Sequence, residues 1–423
     1  LTASGSFPTN IKNQTYHFYK AEGTSYYCTD IDIPQSQTIA TNTTWENVSI
    51  TNKITIEDGA ILAINGLIGC SDVDNLVIKE GGQLIHNNAG VKATLEKEIE
   101  GYGSTNESWY TISSPLMGNV ALSDVESLIP TTNNYDLYRY DEPTSVWQNV
   151  KQTSNNFANL ENGRGYLYAN EYDATLSFAG ELNGDDVTYH LSKTENIVLS
   201  GFHLIGNPFT HNIYKGVGAA IDDNNLAAGY YTLSDAGAWG AKISDDIPIA
   251  PGQGILVKTS KEGDVKIKKT NTQPSQKSNA DILAITVNNN EYEDKAFAVF
   301  EDGVALEKVN HQNQDVPMIY LPVDDANYAV AMLDDNIKDI PLSFKANTMG
   351  EYTITINSDN RGFEHIYLVD SQTGNVTNML VDEYTFIATT NDNPNRFVIK
   401  LYDVDSVNEI SDRENYIYID NGD

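Results

Sequence analysis

Positive charge is scarce in this chain. Its 423 residues carry 26 Lys and Arg against 59 Asp and Glu, for a formal net charge of −33. A field of that sign repels phosphate backbones and anionic lipid, which disfavours nucleic-acid partners and acidic membrane surfaces. Long apolar runs are missing as well: no stretch of about 18 apolar residues occurs, so no membrane insertion is expected. The two cysteines are Cys28 and Cys70. A disulfide between them would close a loop of 70 − 28 = 42 residues, worth roughly 4 kcal/mol in the chain-entropy model. Two buried free thiols are the other reading, and sequence leaves both open. No CxxC pair is present to suggest a metal knuckle. No secretion leader is visible, and the first residue is Leu1 rather than Met, which reads as a trimmed or mature form.

Several catalytic signatures are absent too. HExxH, a GxSxG elbow, a Walker loop and a GxGxxG between strand and helix do not occur. Of the seven histidines, His203 and His211 lie closest in sequence, but a proline turn separates them, and His203 reads as an ordinary strand position. The acidic pairs Asp185-Asp186, Asp222-Asp223, Asp245-Asp246, Asp324-Asp325 and Asp334-Asp335 suit solvated turns. Adjacent residues of an extended chain point to opposite faces, which is poor geometry for a shared acid and base. No cofactor is implied by a motif; a Ca²⁺ site assembled from separate loops stays open.

What is present is strand and turn chemistry. Hydrophobic residues make up 40% and Tyr alone contributes 25 positions. Strand formers with Asn, Asp, Gly, Thr and Ser predict an all-β protein. After a polar N-terminal stretch, ITIEDGAILAING (Ile54 to Gly66) and LVIKEGGQLIHN (Leu76 to Asn87) share one plan, with Gly59 and Gly81 spaced 81 − 59 = 22 residues apart. That period predicts coils of a β-solenoid with glycine at the corners. So few coils cannot bury a core by themselves and should lean on the next domain, with VKATLEKEI (Val91 to Ile99) as the joining strand.

The chain then says one thing twice. WYTISSPL from Trp109 is answered by FHLIGNPF from Phe202, and GRGYLY from Gly163 by GQGILV from Gly252. The offsets are 202 − 109 = 93 and 252 − 163 = 89. Tandem copying of a β-unit follows, each copy holding a strand stopped by proline, a short helix in the first copy at SDVESLI (capping pair Ser123 and Glu126) and a glycine turn feeding a last strand. Aromatics recur at related offsets: Tyr138 and Trp147 in the first copy, Tyr230, Tyr231 and Trp239 in the second. Flat amphipathic rings beside polar turns are candidate ligand-binding residues; repeated core anchors are the competing reading.

The expected layout is a β-solenoid-like N-terminal segment over 1–103, a duplicated β-sandwich over 104–272, a linker at 273–280, a C-terminal jelly-roll-like β-sandwich over 281–402 and an acidic tail over 403–423. Seven strands are legible in the C-terminal part: ILAITV, KAFAVF, YAVAML, EYTITI, HIYLVD, YTFIAT and RFVIKLY.

IGNPF, GQG and the run IPLSFKANTMGEYTITINSDNRGFEHIYLVDSQTGNVTNMLVDEYTFIATTNDNPNRFVIKLY resemble the C-terminal parts of large secreted proteins of Bacteroidetes that leave the cell by type IX secretion. The resemblance implies contact with that machinery and the outer membrane during export, an extracellular or cell-surface location, and a sorting domain beginning near YIYIDNGD, where this chain stops. Together these observations favour a non-enzymatic surface module for adhesion, spacing, or binding of a glycan or host protein. The alternatives are an accessory region of a secreted polysaccharide-degrading or proteolytic enzyme, or a structural subunit of a surface assembly.

Overall fold

The computed structural model describes residues 36–103, 108–125, 128, 134–222, 225–243, 247–274, 281–358 and 362–402 in full, and residues 15–20, 26–32 and 359 by backbone alone. The protein is all-β. Among the described residues every helix is a single three-residue 3-10 turn. The helix expected at SDVESLI is one of these, Leu122–Asp124. Its partner in the capping pair, Glu126, lies outside the described residues.

The strands from Tyr26–Asp32 to Lys92–Ile99 wind as a three-sided parallel solenoid. One side stacks Gln37–Ile39, Ile54–Ile56, Leu76–Ile78 and Lys92–Ile99. The second stacks Thr43–Trp45, Ile61–Ile64 and Gln83–Ile85. The third stacks Tyr26–Asp32, Val48–Ile50 and Ile68–Cys70. Strands of three or four residues alternate inward and outward, so Ile54, Ile56, Leu62, Ile64, Leu76, Ile78 and Leu84 fill the interior. Gly59 and Gly81 take the corners at φ +73° and +76°, where a Cβ would strain the backbone. Lys92–Ile99 is the joining strand: it runs parallel to Leu76–Ile78 and antiparallel to Ala174–Glu181 over eight register pairs. The interior is continuous beyond it, as Ile112, Tyr166, Leu176 and Phe178 belong to the same apolar cluster as the solenoid isoleucines.

The duplication is real in three dimensions. In each copy the first strand pairs antiparallel with the last: Tyr110–Ile112 with Tyr166–Asn170, and Phe202–Gly206 with Gly254–Lys258. In each copy the middle strands form a hairpin: Tyr135–Asp141 with Val146–Asn149, and Tyr230–Leu233 with Trp239–Lys242. The proline turns repeat one side-chain-to-backbone hydrogen bond. Ser114 Oγ accepts from Leu116 N at 3.2 Å and Asn207 Oδ1 accepts from Phe209 N at 2.9 Å, both offset by 93 (207 − 114 and 209 − 116). The two turns also meet. Ser113 Oγ donates to the Asn207 carbonyl at 2.8 Å, and Gly165 N donates to Leu204 O while Gly206 N donates to Gly163 O, each at 2.9 Å. A Cβ on Gly206 would lie 2.2 Å from Ser113 Cβ, so glycine is what permits the crossing. Gly163 and Gly252, at φ +79° and +70°, are tight turns before strands.

The compact units cut across the segments expected from sequence. One unit comprises residues 1–224 and 244–277, and the other 225–243 and 278–423. The solenoid is therefore not separate from the sandwich, because their cores are one. The second copy's hairpin belongs with the C-terminal residues. The break at 277/278 falls inside the expected linker.

In the second unit ten strands follow one another in a single curled sheet: Asn375–Asn378, Tyr367–Asp370, Phe397–Lys400, Asp339–Lys345, Met318–Val323, Ala326–Met332, Glu293–Phe300, Asp281–Asn288, Gly350–Asp359 and Tyr384–Ala388. The ends of this path come together. The Tyr384 hydroxyl donates to Asp370 Oδ2 at 2.7 Å and accepts from Asn375 Nδ2 at 3.4 Å. All seven expected strands are present. Asn375–Asn378, Met318–Val323 and Asp339–Lys345 were not among them. The last two each carry a proline (Pro322, Pro341), which in sequence argues against a strand interior.

Candidate functional site

The candidate rings separate by copy. In the first copy, strand alternation places Asp136, Tyr138 and Tyr140 on the face opposite the core residues Tyr135 and Leu137. Across the hairpin Trp147 faces Tyr140 and Asn149 faces Tyr138. Trp109, just ahead of its strand, brings its ring to 6.2 Å from Tyr138 at 49°, and Tyr140 lies 5.2 Å from Trp147 at 55°. Trp109, Tyr138 and Trp147 are half-buried, so each ring shows part of its surface to solvent while its base is held. Polar groups flank Tyr138: Asp136 Oδ1 accepts from Asn149 Nδ2 at 3.3 Å and from Lys151 Nζ at 3.0 Å. Half-exposed rings beside carboxylate, amide and ammonium groups offer both stacking and hydrogen bonding.

In the second copy the expected ligand role fails. Tyr230, Tyr231 and Trp239 are 2%, 0% and 2% exposed and serve as core anchors of the C-terminal unit. The Tyr231 hydroxyl donates to Glu307 O at 2.7 Å. Trp239 N donates to His311 Nδ1 at 3.0 Å. Copying preserved the hairpin, but different neighbours buried its rings.

His203 is structural: its Nε2 lies 2.8 Å from Ser192 O, and burial holds its pKa below the ordinary value. Cys70 is a buried free thiol 3.3 Å from Asp72 O, and burial raises its pKa. The strand bearing Cys28 is separated from that of Cys70 by Val48–Ile50, and the Cys28 side chain lies outside the described residues. Among the acidic pairs, Asp334 caps its own turn by accepting from Asn336 N at 2.7 Å, and Asp186 pairs with Lys266 at 2.8 Å. Among the described residues no three His, Cys, Asp or Glu side chains are grouped to hold a metal ion.

Three buried ionic groups were not legible in sequence. Glu142, 1% exposed, accepts from Thr194 N, Gly201 N, Ser192 Oγ and Thr194 Oγ1 at 2.7–3.0 Å. Burial pushes its pKa up, and these four donors outweigh that to hold it below the ordinary value. Asp294 lies fully buried between the Lys308 ammonium and Ile319 N, which donates at 2.7 Å; His311 Nε2 is 3.6 Å away. Burial alone would raise the Asp294 pKa, but the Lys308 charge and the His311 contact lower it. Acid, amine and imidazole in one place have the makings of proton-transfer chemistry. Yet the three side chains are only 0–2% exposed, which seals the carboxylate and the amine from any substrate. Asp370 and Arg396 form a third pair, with Arg396 Nε donating to Asp370 Oδ1 at 3.0 Å and the guanidinium 4.9 Å above the Phe386 and Phe397 rings. This pair closes the end of the curled sheet. Each group joins residues 14 to 59 positions apart, so no local spacing announces it.

Residues 310–401 match the model of a family described as a domain of unknown function, DUF8693. The match covers 401 − 310 + 1 = 92 of the 423 residues, all within the second unit. No curated protein and no solved structure matches the chain.

Proposed function

We propose that this chain is a binding module of a secreted or surface-attached bacterial protein, and that its first-copy aromatic face takes a saccharide. The observation that carries the reading is the row Trp109, Tyr138 and Trp147. These are half-exposed rings on a rigid antiparallel sheet, with Asp136, Asn149 and Lys151 beside them. A sugar ring presents an apolar C–H face and a rim of hydroxyls, and this surface answers both. The fused solenoid supports the reading, because a continuous core beneath the sheet fixes the rings before a ligand arrives. The resemblance to type IX cargo adds an extracellular setting and transient contact with the export machinery.

Glycan-array screening of the full chain tests the proposal. Trp147→Ala and Tyr138→Ala should each weaken binding about tenfold, equivalent to about 1.4 kcal/mol, with the melting temperature largely kept. Trp239→Ala should instead destabilise the fold by about 3–5 kcal/mol. Absence of binding to every saccharide, or unchanged binding by both ring variants, sinks the glycan reading. Finding the native protein in the cytoplasmic fraction of its source cells sinks the secreted setting.

A further inference from the structure

A second polar recess lies in the C-terminal unit, far in sequence from the aromatic row and made of different chemistry. Its volume is ≈ 310 Å³, and it is lined by Asn310, His311, Asn313, Gln314, Lys345 and Asn347, with Met318 as its apolar contact. We propose that it binds one small polyhydroxylated carboxylate, of the uronic- or sialic-acid class.

Charge is the first argument. The chain carries a net −33, yet among the described residues no Asp or Glu lines this recess and Lys345 does. Lys345 is exposed and stands directly across the strand ladder from Met318. No carboxylate lies within ion-pair distance of it among the described residues, whereas Lys79, Lys151, Lys266 and Lys308 are all paired. An uncompensated ammonium in an acid-free recess attracts an anion.

The wall supplies the rest. Four amide side chains line it, and each offers two N–H donors and a carbonyl acceptor, the mixture that alternating hydroxyls require. Two of them are anchored. Asn347 Nδ2 donates to Val316 O at 2.8 Å, and the loop carrying Asn313 is pinned where Gln312 N and Asn313 N donate to Gly237 O at 2.9 and 3.1 Å. His311 is the buried polar member of the lining. Its side chain is 2% exposed and its Nε2 faces Asp294 Oδ1 at 3.6 Å, while its Nδ1 accepts from Trp239 N, so the protein itself fixes the ring. The volume sits at the lower bound of the roughly 300–1,000 Å³ range of small-molecule sites, which suits one sugar ring rather than a polymer. The amide wall distinguishes such a ligand from a simple inorganic anion, whose coordination needs charge more than paired donors and acceptors.

The inference does not depend on the aromatic face, and its test keeps the two apart. The full chain is titrated by calorimetry or ligand-observed NMR with glucuronate, N-acetylneuraminate and neutral glucose, in wild type, Lys345→Gln and Trp147→Ala. Binding of either acid, at roughly millimolar Kd, is expected; which of the two binds tells the uronate source from the sialate source. Glucose should bind at least tenfold more weakly, Lys345→Gln should lose about tenfold in affinity for the acid, and Trp147→Ala should bind it as wild type does. Lys345 is exposed, so its replacement leaves the fold intact. Equal binding of glucose, an unaffected Lys345→Gln, or no binding of either acid overturns the proposal, whatever the glycan array shows for the aromatic row.

Discussion

At the scale of single residues, Glu142 shows how this acidic chain makes use of a carboxylate. Two backbone N–H groups and two hydroxyls converge on it from a segment 50–59 residues later. Its folded pKa is depressed. The associated stability is therefore fully present above the unfolded carboxyl value of about 4.3 and is lost as pH falls through the lower folded value. Glu142→Gln keeps the shape but puts an amide N–H₂ among donors. It should cost about 1–3 kcal/mol near neutrality, and the difference from wild type should shrink below about pH 4. Urea titrations of both proteins between pH 3 and 7 check this; a difference independent of pH would mean the charge is not what the donors hold. Nothing local in EPTS (Glu142 to Ser145) marks it, because its partners arrive only when the chain folds back.

At the scale of elements, the duplicated turn is where sequence and structure agree most closely. The 93-residue offset was visible in WYTISSPL and FHLIGNPF, and the structure repeats the strand pairing, the hairpin and the capped proline turn. The two turns nevertheless carry unequal loads. Ser114 makes one such bond, to Leu116 N. Asn207, fully buried, also donates to His211 O and Ile249 O at 2.9 Å each. Asn207→Ala should therefore destabilise on the order of 3 kcal/mol, and Ser114→Ala about 1 kcal/mol, read as shifts in urea midpoint. Equal losses would show that the copies bear equal strain and that the extra bonds of Asn207 contribute little. The rings tell the converse story. Trp147 and Trp239 follow related offsets, yet one is half-buried and the other is core. Offset records ancestry, whereas exposure depends on which strands cover the hairpin.

At the scale of the whole molecule, two apolar clusters matter. One runs from Ile39 through the solenoid to Leu182, and the other from Leu283 to Ile399. Separate cores predict two unfolding transitions rather than one. Ile54→Ala should shift one transition and Ile285→Ala the other, each by about 2–5 kcal/mol. The first should expose the solenoid and the first-copy sheet together. Differential scanning calorimetry with hydrogen exchange reads both effects. If Ile54→Ala loosens the solenoid while the strand Tyr166–Asn170 keeps its protection, the shared core is not cooperative.

Much of this architecture was already written in the sequence. Period-2 alternation, glycine corners spaced by 22 and the tandem offset determined an all-β chain with solenoid coils, a copied unit and seven C-terminal strands. These are local properties, set by how side chains alternate and where φ must be positive. Only the tertiary structure decided which copied rings became core, where the compact units divide, and that Asp294, Lys308 and His311 lie together around a sealed carboxylate. The same holds for Lys345, which no described carboxylate pairs, beside four amides. Burial and pairing depend on contacts between residues far apart in the chain, and no spacing along one sequence records which distant strand will arrive to cover, or leave open, a given side chain.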